Sequence, residues 1–429
     1  MNESIYKRLL GALTEELVPA TGCTEPIAVA YAAAIARETL GLIPDSVDIA
    51  VSGNILKNVK SVVVPNTDGM RGIPVAAAAG IIAGDADKKL QVISNVSAEQ
   101  RKRINEYSKT AKFTVSKSSS ACVFDICVTV SGNGHTAACR IAKHHTNVVH
   151  VEKDGVATVD TRFSEIDPPQ KKARALTVKN IVDFANVVEL DDVAPTIRRQ
   201  ISCNSAISRE GLEHDYGARI GKTLLKAFGN SVQTRAKAAA AAGSDARMNG
   251  CELPVVIVSG SGNQGMTASL PVIEYAKELG ASEDKLIRAL VLSNLITIRL
   301  KAGIGKLSAY CGAVSAGCGA GAGVCYLMGG DYYAIAHTVA NALAINSGVI
   351  CDGAKSSCAA KIASAVDAGL IGFEMYRNGS MFLGGDGILD SDVEQTIDNV
   401  GDIAKYGMHE TDEQIIDLMI NSDRTTCKS

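Results

Sequence analysis

Cys351 and Cys358 occur in the run Ile350-Cys351-Asp352-Gly353-Ala354-Lys355-Ser356-Ser357-Cys358. Cys311 stands 40 residues before Cys351 and opens a glycine-rich stretch, Tyr310 to Gly330, that also holds Cys318 and Cys325. A further cysteine, Cys23, lies alone in Ala20-Thr21-Gly22-Cys23-Thr24-Glu25-Pro26. Thiolates among small residues suit an iron–sulfur cluster, because the backbone must come close to the inorganic core and donate hydrogen bonds to its sulfurs. A cubane held by three cysteines keeps one iron open to substrate, and Cys23 is then a candidate catalytic thiol. No CxxC pair occurs, and a single buried cysteine is ordinarily a small hydrophobe. The neighbours Asp352, Gly353, Lys355, Ser356 and Ser357 argue otherwise, being poor core residues and good hydrogen-bonding partners. Cys318 and Cys325 compete with Cys311 for the third ligand position.

Cys23 directly precedes a helix whose first turn carries Glu25 and Pro26. The positive end of the helix dipole lowers the pKa of a thiol placed there, and the thiolate can act as a base toward a Cα proton. Glu25 opposes that shift. A second candidate is Ser259-Gly260-Ser261-Gly262-Asn263-Gln264-Gly265, which follows the apolar run Val255–Val258. Glycines ahead of a helix let backbone N–H groups face an anion such as a carboxylate, which makes Asn263 and Gln264 candidate substrate contacts. The pattern is neither a Walker A loop nor a dinucleotide fingerprint. Ser52–Asn58 and Asp68–Pro74 read as loops in which Lys57 and Arg71 grip a carboxylate and Asn54 contacts a carboxylate or amine. The seven histidines form no HxxxH or HExxH arrangement, which excludes the common zinc signatures. His144, His145 and His214 read as structural or exposed.

These residues need a frame, and 429 residues are enough for two or three domains or one large core with an insertion. A net charge of −3 and a pI near 6.2 argue against nucleic-acid or membrane-surface partners, which call for a basic excess. No apolar window approaches the roughly 20 residues of a membrane span, and the protein is expected to be cytoplasmic. Twelve cysteines are too dilute for a disulfide scaffold at this length, and in a reducing compartment they point to metal binding or catalysis. Forty glycines with seven Phe and no Trp imply helices packed closely through small side chains.

Apolar Ile5, Leu9, Leu10, Leu13 and Leu17 mark an N-terminal helix, and a second runs from Glu25–Pro26 to Gly41. From Asp45 alternation takes over: Val47–Val51, Leu90–Ile93, Phe113–Val115, Cys122–Val130 and Val148–Val151 read as strands, with Ile73–Gly84 a helix against them. Gly132-Asn133-Gly134 is a hairpin turn. Pro168-Pro169-Gln170-Lys171-Lys172 reads as a linker, beyond which helical spacing returns, with Leu286–Leu300 apolar on nearly every face. The fold expected is α+β, a mainly helical catalytic body (1–44 and 172–429) with an inserted α/β domain (45–171).

Pro19–Pro26, Ser52–Asn58, Gly260–Gly265, Ala309-Tyr310-Cys311-Gly312 and Ile350–Lys355, in this order and spacing, resemble the L-cysteine desulfidase family, oxygen-sensitive relatives of iron–sulfur L-serine dehydratases. The resemblance spans nearly the whole chain. It implies a [4Fe–4S] cluster on Cys311, Cys351 and Cys358, Cys23 as base, and β-elimination of L-cysteine to pyruvate, ammonia and hydrogen sulfide. In the related dehydratases the two downstream cysteines lie more than seven residues apart and a cysteine ends the chain; here the end is Cys427-Lys428-Ser429. L-Serine with hydroxide leaving is therefore the alternative. From other classes come a non-catalytic iron–sulfur sensor, with no need of Cys23, and a pyridoxal-phosphate lyase on Lys355, for which no phosphate-binding context is seen. Homo-oligomers acting on a small amino acid are expected.

Overall fold

The computed structural model describes residues 1–165, 175–305 and 308–425. Its architecture is α+β, a six-stranded mixed sheet with its helices beside a larger all-helical body. The linker read at Pro168–Lys172 and the cysteine at 427 lie outside the described residues.

Helix α1 (Glu3–Glu16) starts on Asn2, whose side chain accepts from the Ser4 N–H, and buries Leu9 and Leu13 in the helical body. Strand β1 (Pro19–Thr21) pairs antiparallel with the distant β8 (Pro254–Val256). Helix α2 (Thr24–Leu40) then departs from the division drawn from sequence. It packs on the sheet, with Ile27, Val29 and Leu40 in the sheet's core. Its alanines allow this: the backbone at Ala30 is so near Gly80 that a Cβ at Gly80 would lie 2.0 Å from the Ala30 carbonyl oxygen. Residues from Ile27 onward thus join the sheet's core, ahead of the hydrophobic alternation that starts at Val47.

The unit continues through β2 (Ser46–Val51), α3 (Gly53–Val59), α4 (Ile73–Ala83), α5 (Ala98–Thr110), β3 (Lys112–Lys117), β4 (Asp125–Gly132), β5 (His135–Ala142), β6 (Val148–Lys153) and β7 (Val156–Asp160). Strand order is β3-β2-β4-β5-β6-β7, with β2–β3 parallel and the other pairs antiparallel. The alternation in β2 and β4 buries Val47, Ile49, Ile126, Val128 and Val130 as the pattern requires. Asn133 and Gly134, both left-handed, close the β4–β5 hairpin. Three segments differ from their sequence reading. Ser52–Asn58 forms helix α3 rather than a loop, Leu90–Ile93 ends a 3-10 turn rather than forming a strand, and β7 is exposed throughout, so no alternation marks it.

The body comprises α6 (Val178–Val187), α7 (Leu190–Glu213), α8 (Ile220–Phe228), α9 (Val232–Met248), α10 (Gly262–Glu278), α11 (Glu283–Ile304), α12 (Gly312–Leu327), α13 (Tyr332–Ile345), α14 (Cys358–Arg377), α15 (Val393–Asp402) and α16 (His409–Thr425). The glycine-rich stretch is mostly α12, the buried centre of this body. A Cβ at Gly317 or Gly321 would come within 2.2–2.4 Å of a carbonyl oxygen on α14, so those glycines serve helix packing and not a ligand loop. Cys318 and Cys325 sit inside that packing, where burial raises both thiols to about 12.

One buried carboxylate carries a stability prediction. Asp245 on α9 is fully buried, accepts the Gly221 N–H at the start of α8, and has an unpartnered Oδ1. Burial raises its pKa from 3.8 to about 6. The protonated form is favoured in the fold, so the cost of ionisation is absent below pH ~4 and full above pH ~6; it approaches ~3 kcal/mol. Asp245→Asn should therefore raise Tm at pH 7.5 and leave it nearly unchanged at pH 4, as thermal unfolding at the two pH values will show.

Candidate active site

A cavity of about 1090 Å³ opens between the helical body, the α/β unit and the C-terminal helix α16, and Cys23, Cys311, Cys351 and Cys358 all line it. Each thiol is placed by a specific element. Cys311 is the N-cap of α12 and Cys358 the first residue of α14. Cys351 is held against Cys311 by a short antiparallel bridge between Tyr310 and Ile350, flanked by Cys311 N–H to Val349 O (3.0 Å) and Cys351 N–H to Ala309 O (2.6 Å). The two thiols therefore sit diagonally on one face of the bridge. Gly353, left-handed, docks the Cys351–Cys358 loop on α3, and a Cβ there would lie 2.2 Å from the Lys57 carbonyl oxygen.

Within the trio the surroundings favour deprotonated sulfur at Cys351, while burial raises the Cys358 thiol. Cys311 hydrogen-bonds to Cys351, which pushes the Cys351 thiol below its ordinary range and the Cys311 thiol above it. Buried Lys57 and Lys301 add positive charge beside Cys351. Burial lowers Lys301 to about 8 against the pull of Cys351 and Cys311. Two helix N-termini face the same region. Among the described residues no three His, Cys, Asp or Glu groups converge tightly enough for a single metal ion. A cluster makes a different demand, since each thiolate binds its own iron. Three thiols, two buried cations and small neighbours (Gly312, Gly353, Ala354) fit such a group.

Cys23 is separate from the trio in its bonding. As N-cap of α2 it donates its S–H to Glu25 Oε2 at 3.0 Å, and Thr24 Oγ1 donates to the same oxygen at 3.1 Å. Burial and then the Glu25 charge raise its thiol well above the ordinary range, with Arg247 working in the other direction. This corrects the expectation of a thiol lowered by the helix dipole; desolvation and a carboxylate at contact distance outweigh the dipole. Burial works to raise Glu25 as well, but His145 and the Cys23 thiol outweigh it and bring the carboxyl down to about 2. His145, in the β5–β6 turn, stands 3.9 Å away at ion-pair distance.

The turn before α10 packs against a residue that the sequence did not single out. Arg247, on the last turn of α9, is 4 % exposed and has no carboxylate within 4 Å among the described residues. Its Nη1 donates to Asn263 Oδ1 at 3.2 Å, and its Nε is buried without a partner. Its guanidinium lies under Gly262, where α10 starts behind the left-handed pair Ser259 and Gly260. A buried cation at a helix N-terminus calls for an anion. Two acceptors in the same cavity, Asn54 Oδ1 and Gln264 Oε1, are also buried without partners.

Of the expected substrate contacts, Asn54, Asn263 and Gln264 line the cavity. Lys57 does not; it is 1 % exposed and paired with Asp412 of α16 at 2.5 Å. Arg71 is exposed and donates to the Ser61 carbonyl, outside the cavity. Both were chosen as cations in polar loops, and one loop proved to be a helix. Arg247 and Lys301 lie near the C-terminal ends of α9 and α11, which carry other charged residues such as Arg235 and Arg299, so no local signal singled them out.

Residues 87–417 match the serine dehydratase alpha chain family, more than three quarters of the chain. The chain belongs to this family. Serine dehydratase alpha chain proteins are lyases of amino-acid catabolism. The chain is also 55 % identical to a UPF0597 protein of Desulfitobacterium hafniense, with 97 % of each chain covered. A UPF0597 protein of Treponema denticola is 45 % identical over 98 % of this chain and 99 % of its own, and one of Oleidesulfovibrio alaskensis 39 % over 97 % and 98 %. The relatives thus extend over the Cys23 and Asn54 segments that precede the family match. No helix among the described residues is long and apolar enough to cross a membrane.

Proposed function

We propose that the protein is an L-cysteine desulfidase, eliminating sulfide from L-cysteine to give aminoacrylate, which hydrolyses to pyruvate and ammonia. The observation that carries this reading is the division of labour within one cavity: three thiols grouped beside buried cations, and a fourth committed to its own carboxylate. Cys311, Cys351 and Cys358 would hold a [4Fe–4S] cluster, which when bound supplies a Lewis acid for the leaving group. The protein's own residues do the rest. Arg247 and the α10 N-terminus take the substrate carboxylate, and the unpartnered oxygens of Asn54 and Gln264 accept from its ammonium. A zwitterion answers both the donor and the acceptors that the cavity leaves unsatisfied.

Cys23 takes the Cα proton. A thiol of raised pKa gives, once deprotonated, a stronger base, which a weakly acidic Cα–H requires. Its 3 % exposure keeps water from competing. The second reading, L-serine losing hydroxide by the same steps, is favoured by the family description. Anaerobically reconstituted protein should release sulfide, ammonia and pyruvate in equal amounts from L-cysteine, with a lower kcat/KM for L-serine. A higher kcat/KM for serine would replace the first reading with the second. No turnover of either by iron-replete protein would sink both.

A further inference from the structure

Before Cys23 can take a Cα proton its own proton must leave, and a residue of the α/β unit stands where that proton can go. The Cys23 S–H points at Glu25 Oε2, which Thr24 holds in place through a hydroxyl that also reaches Gly260 O. The other carboxylate oxygen, Oε1, faces His145 Nε2 at 3.9 Å. That nitrogen is buried and has no hydrogen-bond partner. Its ring is set edge-on against Phe124, 4.7 Å between centroids, so the turn between β5 and β6 presents it in a fixed orientation. A histidine kept only for packing would have its buried nitrogen satisfied. Imidazole is also the side chain suited to gaining and losing a proton near neutral pH, and catalytic hydrogen bonds are commonly long before substrate is bound.

We propose that Glu25 and His145 form a proton relay for Cys23, through which the α/β unit takes part in the elimination step; this rests on the reading of Cys23 as the base. The Cys23 proton passes to Glu25 and on to His145, leaving a thiolate and an imidazolium. The thiolate takes the Cα proton, the Cα–H electron pair becomes the Cα=Cβ bond, and the Cβ–S pair departs with sulfide. The substrate sulfur leaves as HS−, the imidazolium releases its proton to solvent, and Cys23 ends as a thiol and His145 as a neutral ring, ready for the next cycle. Glu25 and His145 are positioning residues, since they reach the substrate through Cys23.

The test compares His145→Gln, which keeps a polar group near Glu25 but cannot carry the proton onward, with His145→Ala and Cys23→Ser. Each is read for iron content, kcat, KM and the isotope effect with Cα-deuterated L-cysteine. Both His145 variants should keep wild-type iron and KM, lose kcat by about 10²-fold, and show a larger isotope effect; added imidazole should restore part of the His145→Ala rate. In cluster-free protein, iodoacetamide should alkylate Cys23 several-fold more slowly in His145→Gln than in wild type, whereas mere loosening of the cavity would make it faster. Wild-type kcat and isotope effect in His145→Gln, with Cys23→Ser inactive, would overturn the relay and keep Cys23 as base. Loss of iron in His145→Gln would make the residue structural and overturn the relay also. Full turnover in Cys23→Ser would instead remove the base reading itself.

Discussion

Cys23→Ser should keep its iron and lose turnover by about 10²–10⁴-fold, whereas Cys311→Ser, Cys351→Ser and Cys358→Ser should lose iron and activity together. The contrast follows from what each sulfur faces. The Cys23 proton is committed to Glu25, while Cys311 and Cys351 share a hydrogen bond beside Lys57 and Lys301. A serine hydroxyl at position 23 can still donate to Glu25, but it is a far weaker acid and does not yield the base. A serine in the trio removes a metal–sulfur bond. Iron and acid-labile sulfide, measured anaerobically on all four variants alongside L-cysteine turnover, separate the two classes. Cys358 packs against the small apolar cluster that contains Cys23, so the opposite outcome is chemically defined. If Cys23→Ser sheds iron as readily as the others, Cys23 is a fourth ligand, and no iron is left open for substrate.

The second large effect is expected at Arg247. Arg247→Gln should lower kcat/KM by about 30- to several thousand-fold, the range for removing one partner of a buried charge pair. The effect should fall on KM first, because the carboxylate is bound in the ground state as well as the transition state. The choice of glutamine guards against a trivial result. Glutamine is shorter than arginine and adds no bulk beneath Gly262, where the guanidinium now packs. Iron content should remain at the wild-type level, and L-cysteine methyl ester, which lacks the carboxylate charge, should discriminate little between variant and wild type. Equal losses on the ester would show that Arg247 shapes the cavity rather than binding the carboxylate.

Most strands of the α/β unit were accessible from alternation, because β2 and β4 each bury one face and a one-residue slip would expose it, whereas their order was not. The helical body was visible for the complementary reason, that α11 is apolar on almost every side and must be enclosed. Helix α3 was missed because Gly53 and two asparagines weaken its propensity; its docking against Gly353 and α16 supplies what the local sequence lacks. The same docking pairs Lys57 with Asp412. A lysine in a polar segment looks available until Asp412, 355 positions away, is folded against it.

Residue type and spacing alone brought Cys23, Cys311, Cys351 and Cys358 forward as candidates, with Cys318 and Cys325 competing for one ligand position. Sequence also determined that a carboxylate would follow Cys23 and that a glycine-rich turn would precede α10. Only the tertiary structure decided how those pieces act on one another. It took the β1–β8 pairing and the Tyr310–Ile350 bridge to set the thiols around one cavity, and burial to turn Cys23 from an acidified thiol into a donor to Glu25. Arg247 and His145 joined the site from helix and turn positions far away in the chain. A thiol's protonation and a cation's partner depend on the dielectric and charges within a few ångströms, and those neighbours come from segments that local sequence cannot bring together.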